Sequence, residues 1–223
     1  MKDGAPERWC RDMPLIRATA GEAAAPPSDR AADRATLVAA LQSGSAGERL
    51  HAARALAALP GAEAPLNAAL QVEADPAVRE VIFTAFARRA SEEAADALLP
   101  LLRAREASLR NGALAALAAM PARLSARLPA LLADPDPDIR LLACELARVL
   151  HSPEATALMC DVVERESEPN VCAAALDVLA EIGGPQALPV LARRAGRFAD
   201  TPFLRFAFEV AIGRIEASSD IDP

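Results

Sequence analysis

Aromatic residues and lysine are scarce in this chain of 223 residues, which contains no Tyr, one Trp, six Phe and one Lys. Strands favour aromatic and β-branched residues, so this composition argues against a sheet-rich fold. The chain instead holds 55 Ala and 29 Leu, both strong helix formers. A hydrophobic content of 52% is too high for a disordered chain. The composition therefore predicts an all-α protein.

A basic excess is also missing, because 31 Asp and Glu outnumber 24 Lys and Arg and leave a formal net charge of −7. Proteins that bind nucleic acid through its phosphates usually carry a basic excess, so we do not expect a nucleic-acid partner. A membrane span would need about 18 apolar residues without charges, and the chain has no such run. Residues 1–34 also lack the apolar core of a signal peptide. We expect a cytoplasmic protein.

A short pattern recurs along the chain: an acidic or capping residue, often a Pro, two further residues, an Arg, and then an Ala-rich apolar run. It is clearest at Asp75-Pro76-Ala77-Val78-Arg79 and at Asp136-Pro137-Asp138-Ile139-Arg140. The last position of the pattern, here called the anchor, falls at 49, 79, 110, 140, 172 and 205. Successive anchors are separated by 30, 31, 30, 32 and 33 residues. This near-constant period indicates six structural repeats.

Each repeat carries the signals of a helical hairpin. Asp75 and Asp136 can accept hydrogen bonds from the first turn of a helix, and Pro76 and Pro137 stand at the first helical position, where Pro fits best. Apolar residues follow each anchor at helical spacing, and a shorter apolar segment precedes it. A single hairpin cannot bury its own apolar face, so the hairpins are expected to stack into a solenoid.

The Asp-Pro-x-Val-Arg phrase followed by an Ala-rich run resembles the HEAT repeat in its short bacterial form, which is similar to the repeats of phycobilin lyases. The resemblance covers about residues 35–216. It implies an all-α, armadillo-like fold: a right-handed α-solenoid, or α-α superhelix, of about six HEAT-like helical hairpins. Residues 1–34 are expected to form a flexible N-terminal extension, in which Met13 could be the true start, and residues 217–223 an acidic C-terminal tail.

In HEAT-like repeats the anchor Asp and Arg residues commonly hold one repeat to the next. The resemblance assigns this structural role to seven residues: Arg49, Asp75, Arg79, Arg110, Asp136, Arg140 and Arg205. The fifth repeat departs from the pattern, because Cys172 stands where Arg is expected. The contact between that repeat and the next is therefore left open.

The second helices of HEAT-like units usually line the concave face of the solenoid. Counting five residues from each anchor, and adding adjacent charged positions, predicts a partner-binding set: Arg54, Arg88, Glu145, Arg148, Asp177 and Glu181. The early repeats then offer Arg and the later ones mostly carboxylates, a gradient that could orient a partner. Ordinary solvated helix surface is the alternative interpretation.

Four of the six Phe residues crowd the last repeat: Phe198, Phe203, Phe206 and Phe208. Terminal repeats cap the stack and are often atypical, which favours a hydrophobic cap. A docking patch for a partner is the alternative, because exposed aromatic patches tend to bind.

No motif of an enzyme or a metal site is found. His51 and His151, the only histidines, lie about three repeats apart, and the chain has no nucleophile elbow, phosphate-binding glycine loop or HExxH motif. Cys144, Cys160 and Cys172 fall on neighbouring predicted helices, but their spacing matches no cluster signature, and we interpret them as buried thiols. We therefore predict no catalytic, cofactor-binding or metal-ligating residue.

The leading hypothesis for function is a scaffold or adaptor that binds another protein on its concave face and could regulate a partner enzyme or assist its assembly. A solenoid offers a long continuous surface without a natural catalytic pocket. A subunit similar to the phycobilin lyases, or one that assists cofactor insertion, is the alternative, and it rests on repeat type alone. A HEAT-like glycosylase for alkylated DNA would need a basic groove and base-holding aromatics, against which the net charge argues.

Overall fold

The computed structural model describes residues 27–198 and 200–219, and within these ranges the regular structure is entirely helical. Six hairpins follow one another, each with a first and a second helical arm. They are α1 (Pro27–Ser43) with α2 (Ala46–Ala58), α3 (Glu63–Leu70) with α4 (Pro76–Arg89), α5 (Glu92–Leu98) with α6 (Ala107–Ala118), α7 (Pro121–Leu124) and α8 (Leu128–Leu132) with α9 (Pro137–Ala147), α10 (Pro153–Arg165) with α11 (Pro169–Ile182), and α12 (Leu188–Arg194) with α13 (Pro202–Ser219). Short 3₁₀ turns lie at Leu99–Arg103, Arg148–Leu150, Pro185–Ala187 and Ala195–Phe198. The prediction of an all-α solenoid of six hairpins is confirmed.

The second helices begin where the repeated pattern places their caps. The Asp75 carboxylate accepts from the backbone N–H of Ala77 at 2.8 Å, and the Asp136 carboxylate accepts from that of Asp138 at 3.0 Å. At the start of α2, Ser45 and Glu48 form a reciprocal capping box. Each of the six anchors therefore lies in the second helix of its repeat, four residues after the residue that precedes that helix.

The hairpins stack in two layers. In one layer the second helices contact each other in chain order, α2 on α4, α6, α9, α11 and finally α13. The first helices form the other layer, where α1 contacts α3, α3 contacts α5, and α10 contacts α12. A single apolar core runs between the layers from Leu41 to Ile215. We call the outer surface of the second-helix layer the B-face.

The ends of the repeat array differ from the expected bounds. Helix α1 begins at Pro27, eight residues ahead of the expected boundary at 35, and α13 extends to Ser219, three residues past 216. Met13 and Cys10 fall outside the described residues, as do positions 220–223. Among the described helices, none combines the length and apolar character that crossing a membrane requires.

Candidate partner-binding surface

A buried carboxylate joins the first two repeats. Arg49 of α2 donates from Nε and Nη2 to the two carboxylate oxygens of Glu73, at 2.8 and 2.9 Å. Glu73 is only 5% exposed, and it also accepts from the backbone N–H groups of Ala74 and Asp75 at 2.9 and 2.8 Å. The hydrogen bonds from Arg49 hold the pKa of Glu73 below its usual range, and they outweigh the opposing effect of burial.

The same arrangement recurs between the fourth and fifth repeats. Arg140 of α9 donates from Nε and Nη2 to Glu166 at 2.8 and 3.1 Å, and the backbone N–H groups of Ser167 and Glu168 both donate to Glu166 at 2.9 Å. Burial favours a higher pKa for Glu166, but these donors together leave its pKa below the usual value. Both pairs are charge-assisted, bidentate contacts that fix the angle between neighbouring repeats.

The other predicted anchors occupy varied positions. Arg79 pairs with Glu106 and donates to the Ser108 hydroxyl at 2.9 Å, so it also joins two repeats. Arg110 donates to the carbonyl of Ala104 at 3.0 Å, within its own repeat. Arg205 is exposed on α13, where no following repeat is present in the described chain.

The anchor aspartates act as helix caps rather than as the partners of the anchor arginines. Asp75 bonds the first turn of α4. Asp136 does the same for α9, and it also lies 3.5 Å from Arg103 of the preceding repeat. Arg49, Arg79 and Arg140 thus contact the next repeat through Glu73, Glu106 and Glu166, and Asp136 contacts the preceding repeat through Arg103.

Sequence reasoning missed these three acceptors, although a signal for two of them exists. Glu73 and Glu166 each stand two residues ahead of the cap of a second helix, at Asp75 and Glu168. Asp134 stands at the same place ahead of Asp136, where it accepts from the Asp136 backbone N–H at 2.9 Å. An acidic residue two positions before a helix cap was thus a repeated feature of the sequence.

Cys172, at the fifth anchor, is fully buried and makes no ion pair with the last repeat. That junction uses arginines of α12 instead, since Arg193 pairs with the Glu164 carboxylate at 2.9 Å and Arg194 donates to the Glu164 carbonyl. Burial raises the pKa of the Cys172 thiol to about 11 and that of Cys144 to about 12. Both thiols therefore stay protonated near neutral pH. The described residues contain no group of three or more His, Cys, Asp and Glu that could hold a metal ion.

Four of the six predicted partner-binding residues come together on the B-face of α9 and α11. Arg148 bonds Asp177 at 2.8 Å and Glu145 at 3.3 Å, and it also bonds Glu181. The hydrogen bonds that Arg148 donates to Asp177 and Glu181 raise the pKa of Arg148. One guanidinium faces three carboxylates, so this acidic cluster keeps a net negative charge while its members are held in place by each other.

The other two predicted residues, Arg54 and Arg88, lie at the opposite end of the B-face. They line a shallow cavity of about 490 Å³ between α2 and α4, beside the exposed side chains of Glu80 and Thr84. Its floor is apolar and is formed by residues that include Ala57, Ala58, Val81 and Ala85. Both guanidiniums are exposed, and neither forms an ion pair with any residue in the ranges that the structure describes.

The crowded Phe residues of the last repeat divide into two pairs. Phe198 and Phe208 are buried, with ring centroids 6.4 Å apart, and they close the apolar core. Phe203 and Phe206 on α13 are 50% and 67% exposed. The first pair therefore fits a hydrophobic cap, whereas the second pair stays exposed, and its role as a docking patch remains a prediction.

Similarity to known proteins is found at the level of the repeat. Residues 124–212 match the family model of HEAT repeats. A designed armadillo repeat protein in complex with the peptide (KR)4 is 19% identical, with a TM-score of 0.42, and the alignment covers 81% of this chain and 98% of that chain. An engineered protein with a crystal structure is 20% identical, with a TM-score of 0.42, over 83% of this chain and 99% of that chain. No curated protein matches this sequence.

Proposed function

Because the chain is a HEAT-like repeat protein, we propose that it is a scaffold that binds a partner protein along its B-face. We further propose that it acts in a bacterial cytoplasm, where its free cysteines stay reduced, and that it regulates or assists a partner enzyme. The alternative function, a subunit that is similar to the phycobilin lyases or assists cofactor insertion, rests on repeat type alone. No feature of the described B-face supports it.

The observation that carries this proposal is the pair of unpaired arginines over an apolar floor. Many of the described arginines hold repeats together, as Arg49 and Arg140 do. Arg54 and Arg88 instead line one cavity without an ion pair in the described chain, and Glu80 is the carboxylate beside them. Arginine beside apolar surface is typical of the residues that dominate protein interfaces. An acidic side chain of the partner, carried on an apolar segment, fits this end of the B-face.

The test is a pull-down of the tagged full-length chain from its native cell extract, with Arg54→Glu/Arg88→Glu beside the wild type. A matched control is Arg105→Glu/Arg165→Glu, which changes the charge equally at exposed arginines away from the cavity. We expect a stoichiometric partner with the wild type and the control that is lost with the cavity variant. Loss from both variants, or no partner with the wild type, would overturn the proposal. Circular dichroism confirms that each variant is folded.

A further inference from the structure

Helix α13 carries two apolar stripes, although it packs against the rest of the protein with one. Leu204, Phe208, Ala211 and Ile215 are buried against the core. The second stripe follows alternating spacings of three and four residues, and its members are Phe203, Phe206, Val210, Gly213 and Ala217. We call it the aromatic stripe. In the part of the chain with described side chains, the exposed large hydrophobic residues are Phe203, Phe206 and the distant Val72.

The repeat register places the aromatic stripe on the B-face. Phe206 and Val210 stand one and five residues after the anchor Arg205, where α11 has Ala173 and Asp177 and where the fourth repeat has Glu145 in place of Val210. The stripe is therefore the C-terminal continuation of the surface that holds Arg54 and the acidic cluster.

The aromatic stripe differs from the side of α13 on which a further repeat would pack. Cys172 and Leu176 of α11 are fully buried, and α11 packs against the following second helix, α13. In α13 the corresponding residues are Arg205 and Glu209, and both are exposed. The face of α13 on which a further repeat would pack is therefore polar at these two positions, and the aromatic stripe lies elsewhere on the helix.

Carboxylates flank the aromatic stripe on both sides. Asp177 and Glu181 lie on the neighbouring α11, sharing Arg148 with Glu145, and Glu209 lies on the other flank within α13. Within α13, Arg205 and Arg214 balance Glu209 and Glu216 in charge. The negative charge next to the stripe therefore comes from the acidic cluster on α9 and α11, where three carboxylates share Arg148, and it complements a basic partner surface.

We propose that the aromatic stripe binds an amphipathic α-helix of the partner protein, with apolar residues at heptad spacing and Lys or Arg on its flanks. The spacing of three and four residues keeps the stripe on one seam over the 15 residues from Phe203 to Ala217, a rise of about 21 Å. An amphipathic helix lays its apolar residues along such a seam. This inference rests on the proposed function, and it adds a second contact site for the partner at the C-terminal end of the B-face.

The test measures binding of a labelled synthetic 14-residue peptide of leucine and lysine, with leucines at heptad positions, by fluorescence anisotropy. The wild type is expected to bind it, and Phe203→Ser/Phe206→Ser to bind at least about tenfold more weakly. Val72→Ser, which removes an apolar side chain that is 83% exposed and lies elsewhere, is the control and is expected to bind as the wild type does. A peptide with glutamate in place of lysine is expected not to bind.

Three outcomes overturn the inference: no binding by the wild type, equal weakening by Val72→Ser, or tight binding of the glutamate peptide. A fourth is a wild type that sediments as a dimer and a double Phe variant that sediments as a monomer, since the occupant is then a second copy. The cavity variant Arg54→Glu/Arg88→Glu should bind the peptide normally. A failure at the stripe is thereby distinguished from a failure of the proposed function, which the pull-down tests at the other end.

Discussion

Two helix ends in this protein use a residue with a Cβ where glycine is usual. Ala90, at the end of α4, has φ 46° and ψ 39°, and His151 has φ 36° and ψ 48° after the turn at Arg148–Leu150. An L side chain in the left-handed region costs about 1–2 kcal/mol, whereas glycine adopts it freely. The cap at Ala90 persists because its carbonyl accepts from Arg123 of the fourth repeat at 2.9 Å.

Ala90→Gly is therefore expected to stabilise the protein by about 1 kcal/mol, since it removes the left-handed penalty and leaves the backbone carbonyl in place. Thermal denaturation followed by circular dichroism measures the change. The control Ala87→Gly, inside α4, should instead destabilise by about 1 kcal/mol. A lower melting temperature for Ala90→Gly would contradict this account of the cap.

Gly112 in α6 lies against the ring of Phe83 in α4. A Cβ added at Gly112 would lie 2.2 Å from a ring carbon of Phe83, which is buried. Helix propensity alone favours Ala over Gly by about 1 kcal/mol, but this contact does not leave room for the methyl group.

Gly112→Ala is expected to destabilise by about 1–3 kcal/mol, because the buried ring must move. Gly213→Ala is the matched control, since Gly213 is also helical and has nothing within 4 Å of the added Cβ, and it should stabilise. Urea denaturation of both variants measures the change in the free energy of unfolding, which should be a loss for Gly112→Ala and a gain for Gly213→Ala. The close approach of α4 and α6 would be refuted by stabilisation at both sites.

At the scale of the elements, the hairpins follow directly from the period and the caps. The anchor helices were predicted from Asp-Pro starts and helical apolar spacing, both of which act within a few residues. The first arm of the fourth repeat is less regular, since it divides into α7 and α8, and its Leu128 and Leu132 gave no sign of the preceding turn at Pro121. The acceptors of Arg49 and Arg140 were missed because Glu73 and Glu166 follow these arginines by 24 and 26 residues, beyond the reach of a local pattern.

Glu166→Gln is expected to destabilise by about 3 kcal/mol, because it leaves the half-buried Arg140 without a charged acceptor. Glu106→Gln is the control, since Glu106 also pairs with an anchor arginine but its side chain is 51% exposed. An exposed pair contributes about 1 kcal/mol or less. Chemical denaturation distinguishes the two, and equal losses would show that burial does not set the strength of these junctions.

On the scale of the whole molecule, the buried junction carboxylates couple stability to pH. The folded-state pKa values of Glu73 and Glu166 lie below the unfolded value of Glu, about 4.3. Their contribution is fully present above that pH, and it is lost as pH falls through the lower folded-state values. Because each repeat contacts only its neighbours, losing two junctions weakens the whole stack.

We therefore expect the melting temperature to fall steeply below about pH 4.3. The double variant Glu73→Gln/Glu166→Gln should be less stable at pH 7 and show a flatter dependence on pH. Thermal scans between neutral and acidic pH test both statements. An unchanged slope in the double variant would assign the acid sensitivity to other carboxylates.

Period, caps and helical apolar spacing were sufficient for six stacked hairpins, because these signals act over a few residues and repeat along the chain. The same signals placed Arg54, Arg88 and the later carboxylates on the second helices. Packing between repeats settled which side chains are available to a partner. It joined Arg148 to Asp177 and Glu181, left Arg54 and Arg88 without an ion pair in the described chain, and buried Phe208 while exposing Phe206. Such pairings join residues about one repeat apart, so they depend on how the helices meet in space.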